Sequence, residues 1–304
     1  MGTTNLIDYR KIHRPAGQLF TAATRTNEIP KYNLSPEQVR FYETNGYLKG
    51  IRVLEERQLQ CLRDRLEQMV ADDFPRRSEL IGLTAAAGGA SKNQQMIYFQ
   101  GAWFVDDAFH DLLFNAEMTV PLSQLLGTNR VRFWHDQLFY KPARHGGVVA
   151  WHQDYSYWTR TVPVGHITCF VALDDTTLEN GCVHVVPGSH RWNLLPTVKL
   201  TGGLEDMEAI KQVLAPEQLA QFKPVPMILK AGEASFHHCL TLHGSYPNTS
   251  PNPRRGVVLN FIRPDVRSDT DKPLMPGTPP IPKGAVVEGE NFPIVFDANQ
   301  LTQN

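Results

Sequence analysis

The chain is poor in cysteine, has almost no net charge and lacks any long apolar run. Its four cysteines, Cys61, Cys169, Cys182 and Cys239, are widely scattered and form no Cys-x-x-Cys pair. A chain of 304 residues does not need disulfides to hold a core, so the pattern predicts reduced thiols and a reducing compartment. Thirty Lys and Arg against thirty-one Asp and Glu leave a formal charge of −1. With no field to gather polyanions, nucleic acid is not an expected partner. Eighteen consecutive apolar residues occur nowhere, and the opening MGTTNLIDYRKIHR has no apolar stretch of signal-peptide type. The expectation is a soluble, cytoplasmic protein without a membrane partner. Internal repeats and long charge runs are lacking as well.

What is present is an ordinary globular balance, 41% hydrophobic and 20% charged, enough to build a sizeable core in one elaborated domain. Residues 1–34 show no periodicity and are expected to form an arm over the surface. Ser35, followed by Pro36 and by Gln38, is a helix start with a capping box. A short helix is expected to about Asn45. Leu54, Leu59, Leu62, Leu66 and Val70 then recur at helical steps among charged neighbours, as in an amphipathic helix. Segment 83–94 is small and Gly-rich and is read as a loop beside a site. From Val131 onward, runs such as VRFWHDQLFY, VVAWHQDY, HITCFVALDD and RRGVVLNFI alternate with Gly, Pro and Asn turns. No strand–helix alternation appears, so the fold class expected is mainly β, an antiparallel sandwich or jelly roll with flanking α-helices. Residues 191–224, with the helix-like EDMEAIKQVLAPEQLAQF, form an insertion within a domain spanning 35–264. Residues 265–304 carry six prolines, which predicts an extended strap that adds little ladder to a sheet.

The stretch WHQDYSYW places His152 and Asp154 two apart on a predicted strand, so both project from one face. An imidazole and a carboxylate side by side suit a divalent iron-type ion, and the facial triad needs one more histidine. The best candidate is His243 in HHCLTLHGSYPN. Arg254 follows eleven residues beyond His243, and on an antiparallel neighbour strand it would return to the metal. A buried guanidinium there implies a cosubstrate with a distal carboxylate. Tyr155, Tyr157 and Trp158 are candidates for lining a substrate pocket or filling the interior.

Taken together, HQD, ENGCVHVVPGSH, LHGSYPN and the RR that follows resemble the phytanoyl-CoA dioxygenase-like branch of the iron(II)- and 2-oxoglutarate-dependent oxygenases, over roughly residues 35 to 262. The resemblance implies a double-stranded β-helix, a cupin-like jelly roll. It makes His152, Asp154 and His243 the ligands of Fe(II) and Arg254 the partner of the distal carboxylate of 2-oxoglutarate, with Ser245 helping to hold that carboxylate. It also puts Gln137 and Phe170 on the cosubstrate pocket, where the family often has Met and Trp, so the pocket shape differs here. Implied with these are O2 as oxidant and oxidation of a small molecule coupled to release of succinate and CO2.

The other histidines are read as structural: His237 as a hydrogen-bonded core residue, His238 as supporting, His190 as fixing the PGSH loop, and His135, His145, His166 and His184 as ordinary strand residues. A halogenase would need Asp154 replaced by a small residue. A cupin-like metal-binding protein or isomerase would explain the histidines but leave Arg254 and HGS without a purpose, and a non-catalytic binding module would not need intact ligands. An acyl-CoA hydroxylase would want a basic groove, for which only Arg144, Arg160 and Arg191 are available. Segments 83–94 and 191–224 are expected to set specificity.

Overall fold

Ser35 opens helix α1 (Pro36–Asn45) as its sequence demands, its hydroxyl accepting from Gln38 N while the Gln38 side chain accepts from Ser35 N. Gly46 ends the helix at φ 78°, a left-handed cap that a residue with a Cβ adopts only at a cost. Strand β1 (Tyr47–Arg52) follows, then α2 (Glu56–Val70). The computed structural model describes residues 6–82, 96–144 and 147–303, so segment 83–94 and His145 lie outside the described residues. Helix α2 buries Leu59, Leu62, Leu66 and Met69. Leu54 is buried ahead of the helix and Val70 is only half-buried, so the stripe runs through Met69 instead.

The strands form two antiparallel sheets. The larger contains β1, β2 (Ile97–Phe99), β3 (Arg130–Lys141), β6 (His166–Ala172), β10 (Glu233–His238), β12 (Arg254–Ile262) and β14 (Ile294–Asp297), in the order β1-β10-β6-β12-β3-β14 with β2 also on β3. The smaller has the order β8-β4-β11-β7-β9, from β4 (Val148–His152), β7 (Val183–Val185), β8 (Thr201–Gly202), β9 (Val225–Pro226) and β11 (His243–Ser245). A ribbon of β5 (Thr161–Val162) and β13 (Arg267–Ser268) stands apart. The outer face of the large sheet, with Cys169, Val171, Val257 and Leu259, packs against α2 and α3 (Ala116–Leu126) in the main core. The alternate residues Thr168, Phe170, Val258 and Asn260 face inward, toward the small sheet. This is the expected mainly β jelly roll with flanking helices.

Three expectations need correction. The insertion makes not one helix but two, Leu204–Met207 (α4) and Pro216–Gln221 (α5), because Pro216 holds Ala215 extended and starts a new helix. Part of it, β8, pairs with β4. The strap does join the large sheet: its last proline is Pro293, and the proline-free Ile294–Asp297 pairs with β3. Finally, strand β4 ends at His152, and Asp154 opens a 3-10 turn (Asp154–Tyr157) anchored by Tyr155 N on Cys239 O.

Candidate metal centre

His152 and His243 face each other because β4 and β11 pair with these two residues in register, which brings their ring centroids to 4.2 Å. Gln153 keeps an extended backbone, so Asp154 still returns to the side of His152 although the strand has ended. The buried Gln153 amide is pinned on Leu240 O and Leu195 N. One ligand atom from each of His152, Asp154 and His243 lies within 4.8 Å of the others. Asp154 Oδ1 is 3.4 Å from His152 Nε2 and 3.7 Å from His243 Nε2.

The remaining atoms of the trio are already engaged. His152 Nδ1 donates to Ala150 O at 2.7 Å and His243 Nδ1 to Thr241 O at 2.9 Å. A carbonyl can only accept, so both Nδ1 atoms carry the proton and both Nε2 lone pairs point at the centre. Burial and the neighbouring His152 and His237 push the His243 imidazole well below its ordinary value, which keeps it neutral. Burial alone would raise the Asp154 carboxyl, but the donors around it, His237 among them, more than reverse this and hold it well below the usual carboxylate range. Its Oδ2 accepts from Thr168 Oγ1 at 2.7 Å and from His237 Nε2 at 3.2 Å. Two imidazoles that turn Nε2 to the centre and one carboxylate oxygen, oriented in this way, fit a divalent iron-type ion.

Across the cavity stands Arg254, buried, its hydrogen-bond partners among the described residues being neutral oxygens. Its strand does not neighbour β11, as the sequence suggested, but lies in the opposite sheet, and the side chain spans the gap. Nη1 donates to Gly181 O at 2.6 Å and lies 3.4 Å from Ser245 Oγ, while Nε has no partner among the described residues. Burial lowers the guanidinium to about 10, which leaves it charged at neutral pH. Gly181 has φ 70°, and a Cβ there would meet Tyr246 O at 2.2 Å, so the close approach is open only to glycine.

Lys141 was not singled out by the sequence. Directly opposite Arg254 in the β12–β3 register, it is fully buried and donates to Ser245 Oγ at 2.6 Å and to Tyr246 O. Burial, then the charge of Arg254, push its ammonium well below the ordinary lysine value. An anion between the sheets at this point would favour the charged form of both side chains.

The cavity joining these groups has a volume of about 430 Å³. Gln137, Phe170, Ser245, Trp158, His135 and His237 line it, together with Leu200 and Thr201 of the insertion and Met275 and Pro276 of the strap. Gly256 sits beneath Phe170, where an added Cβ would lie 2.5 Å from the ring. Tyr155 is not in the wall. Its hydroxyl donates to Thr161 O, and its ring packs in a second core with Trp134 and Phe292. His237 is more than a core residue, since it holds Asp154. His190 and Ser189 tie the PGSH loop, as expected, to Glu43 O and to Leu242 N. Arg160 and Arg191 are engaged by carbonyls: Arg160 donates to Pro273 O and Leu274 O, and Arg191 to Glu43 O.

A profile of the phytanoyl-CoA dioxygenase (PhyH) family matches residues 42–256. The chain belongs to the phytanoyl-CoA dioxygenase family. It is a non-haem iron, 2-oxoglutarate-dependent dioxygenase. The chain is 30% identical over 159 residues to a probable alpha-ketoglutarate-dependent hypophosphite dioxygenase of Stutzerimonas stutzeri, a match spanning 52% of this chain and about half (54%) of that protein. With the ectoine dioxygenase of Bordetella bronchiseptica it shares 27% identity over 244 residues, 75% of each chain. The crystal structure of the non-heme alpha ketoglutarate dependent carbocyclase SnoK from nogalamycin biosynthesis superposes with a TM-score of 0.66 at 24% identity, over 86% of this chain and 96% of that one. Among the described residues no helix is long and apolar enough to cross a membrane.

Proposed function

We propose that this enzyme hydroxylates an unactivated C–H bond of a small molecule, with His152, Asp154 and His243 holding Fe(II) and Arg254 with Ser245 holding the distal carboxylate of 2-oxoglutarate. The observation that carries this reading is a buried His-Asp-His set facing a buried guanidinium across one cavity. When bound, iron with 2-oxoglutarate and O2 supplies the oxidising power, releasing succinate and CO2.

The protein's part is placement. Three side chains leave coordination positions open, as such chemistry requires. Thr168 and His237 occupy Asp154 Oδ2 and so present Oδ1 to the ion. Arg254 fixes the far end of the cosubstrate in one orientation, with its own position set by Gly181 O and Ser245 Oγ. Gln137 and Phe170 form the wall of the same pocket, and Trp158 serves the substrate side.

The relatives named for hypophosphite and ectoine act on small molecules, which supports a small metabolite here. Acyl-CoA is not favoured, because Arg160 and Arg191 are spent on carbonyls. A cytoplasmic location accords with four free cysteines, three of them buried. The test is succinate formation from 2-oxoglutarate by anaerobically iron-loaded protein, with and without a small-metabolite library. Turnover stimulated by a compound and abolished by Asp154→Ala supports the reading; undiminished succinate from Asp154→Ala overturns it.

A further inference from the structure

The inner face of the large sheet carries a polar row that crosses four strands. His237 of β10 pairs with Thr168 of β6, Thr168 with Asn260 of β12, and Asn260 with His135 of β3. The first three are engaged. His237 and Thr168 hold Asp154, and Asn260 Nδ2 donates to His135 O at 3.2 Å while its Oδ1 lies 2.8 Å from Thr168 Oγ1.

The fourth is not. His135 is 6% exposed, and its Nδ1 lies 3.2 Å from Asp136 O, an atom that can only accept. Nδ1 therefore carries the ring proton and Nε2 presents a lone pair. Among the described residues that Nε2 has no hydrogen-bond partner, and His135 is one of the residues lining the cavity that holds the metal ligands. Burial lowers the imidazole to about 4, so the ring is neutral near pH 7 and Nε2 stays an acceptor. Trp134 and Trp158 pack edge to face against the ring and hold its direction. A buried acceptor without a donor is rare in folded proteins and calls for a partner.

We propose that His135 determines substrate specificity, its Nε2 accepting a hydrogen bond from an O–H or N–H group of the substrate. This rests on the oxygenase reading of the cavity. The substrate is then a small molecule with a donor at a fixed place relative to the metal centre, and an analogue with that donor capped by a methyl group is rejected. A site built around a hydrogen bond discriminates in this way because the orphaned protein atom, not just the lost contact, opposes the wrong ligand.

The experiment uses the iron-loaded enzyme with matched pairs, alcohols against their methyl ethers and lactams against their N-methyl forms. Binding is followed by calorimetry and turnover by succinate release, for wild type, His135→Gln and His135→Leu. Wild type is expected to prefer donors by about tenfold or more. His135→Gln, which keeps an acceptor oxygen, retains part of that preference and His135→Leu loses it. An unchanged preference in His135→Leu, or a wild type that favours no donor over its capped partner, overturns the proposal. Failure of the oxygenase reading has a different signature, namely no binding of 2-oxoglutarate and no succinate under any condition. The calorimetric preference still decides the recognition claim in that event. Circular dichroism of both variants separates a lost contact from a lost fold.

Discussion

The two sheets that enclose the cavity serve it differently. The small sheet delivers His152 and His243 through main-chain pairing of two short strands, and each ring is then fixed by the carbonyl two residues before it. The large sheet delivers no metal-ligand candidate. It supplies a row of side chains, on strands far apart in sequence, that hold Asp154 from behind, and from its end the pair Arg254 and Lys141. On the proposed assignment, ligand position is thus a backbone property, while ligand tuning and cosubstrate recognition are side-chain properties. Substitutions in the two sheets should fail in different ways.

The sharpest break is expected in the small sheet. His152→Ala should lose iron altogether, read as metal stoichiometry after anaerobic loading, and with it all succinate formation. Next comes Arg254→Ala, which should weaken 2-oxoglutarate by about 2–5 kcal/mol while iron still binds, as a titration of the loaded protein would report. Cosubstrate affinity within twofold of wild type would mean that Lys141 or another group holds the carboxylate. Smaller still are His237→Ala and Thr168→Val, each expected to cost about 10–100-fold in iron affinity without abolishing turnover at saturating metal. If either matched His152→Ala, the division between the sheets would collapse.

The smallest effect concerns the outer side of the large sheet. Asp136 accepts from Gly101 N and Trp103 N, and burial pushes its carboxyl up from 3.8 to about 6. The folded state then holds this proton more tightly than the unfolded chain. Its contribution to stability is complete below about pH 4 and is lost as pH rises through about 6. Asp136→Asn should therefore flatten the decline of the denaturation midpoint across that interval. A slope equal to that of wild type would show that the carboxyl titrates normally.

Much of this was legible in the chain. The Ser35 cap, the β runs and the His152, Asp154 and His243 set depend on local spacing, and the structure brings those three together. Arg254 was legible as a residue but not as a location, because eleven residues of spacing do not say which sheet the next strand joins. The polar row and Lys141 were out of reach for a stronger reason: they exist only through the order β10-β6-β12-β3, which pairs residues far apart in sequence. His135 and Lys141 look like ordinary strand residues, and His237 like a core histidine, until that order is known. Spacing alone leaves Tyr155 open between pocket and interior, and the 3-10 turn directs it to the interior. The strap was misjudged by averaging its prolines, which stop just before the residues that pair.

The pairing of Tyr47 with His237 carries a consequence for how the enzyme is made. Contacts between such distant positions close large loops, and chains rich in them fold slowly. His237 and the strands beside it reach Asp154 only when the large sheet has formed, and the strap residues Met275 and Pro276 join the cavity wall last in chain order. The unfolded polypeptide has no preformed place for the ion, so iron adds its binding energy to the finished fold alone. Chelation of the mature protein should then lower its melting temperature, and metal supplied during refolding should raise the yield of folded protein more than its initial rate.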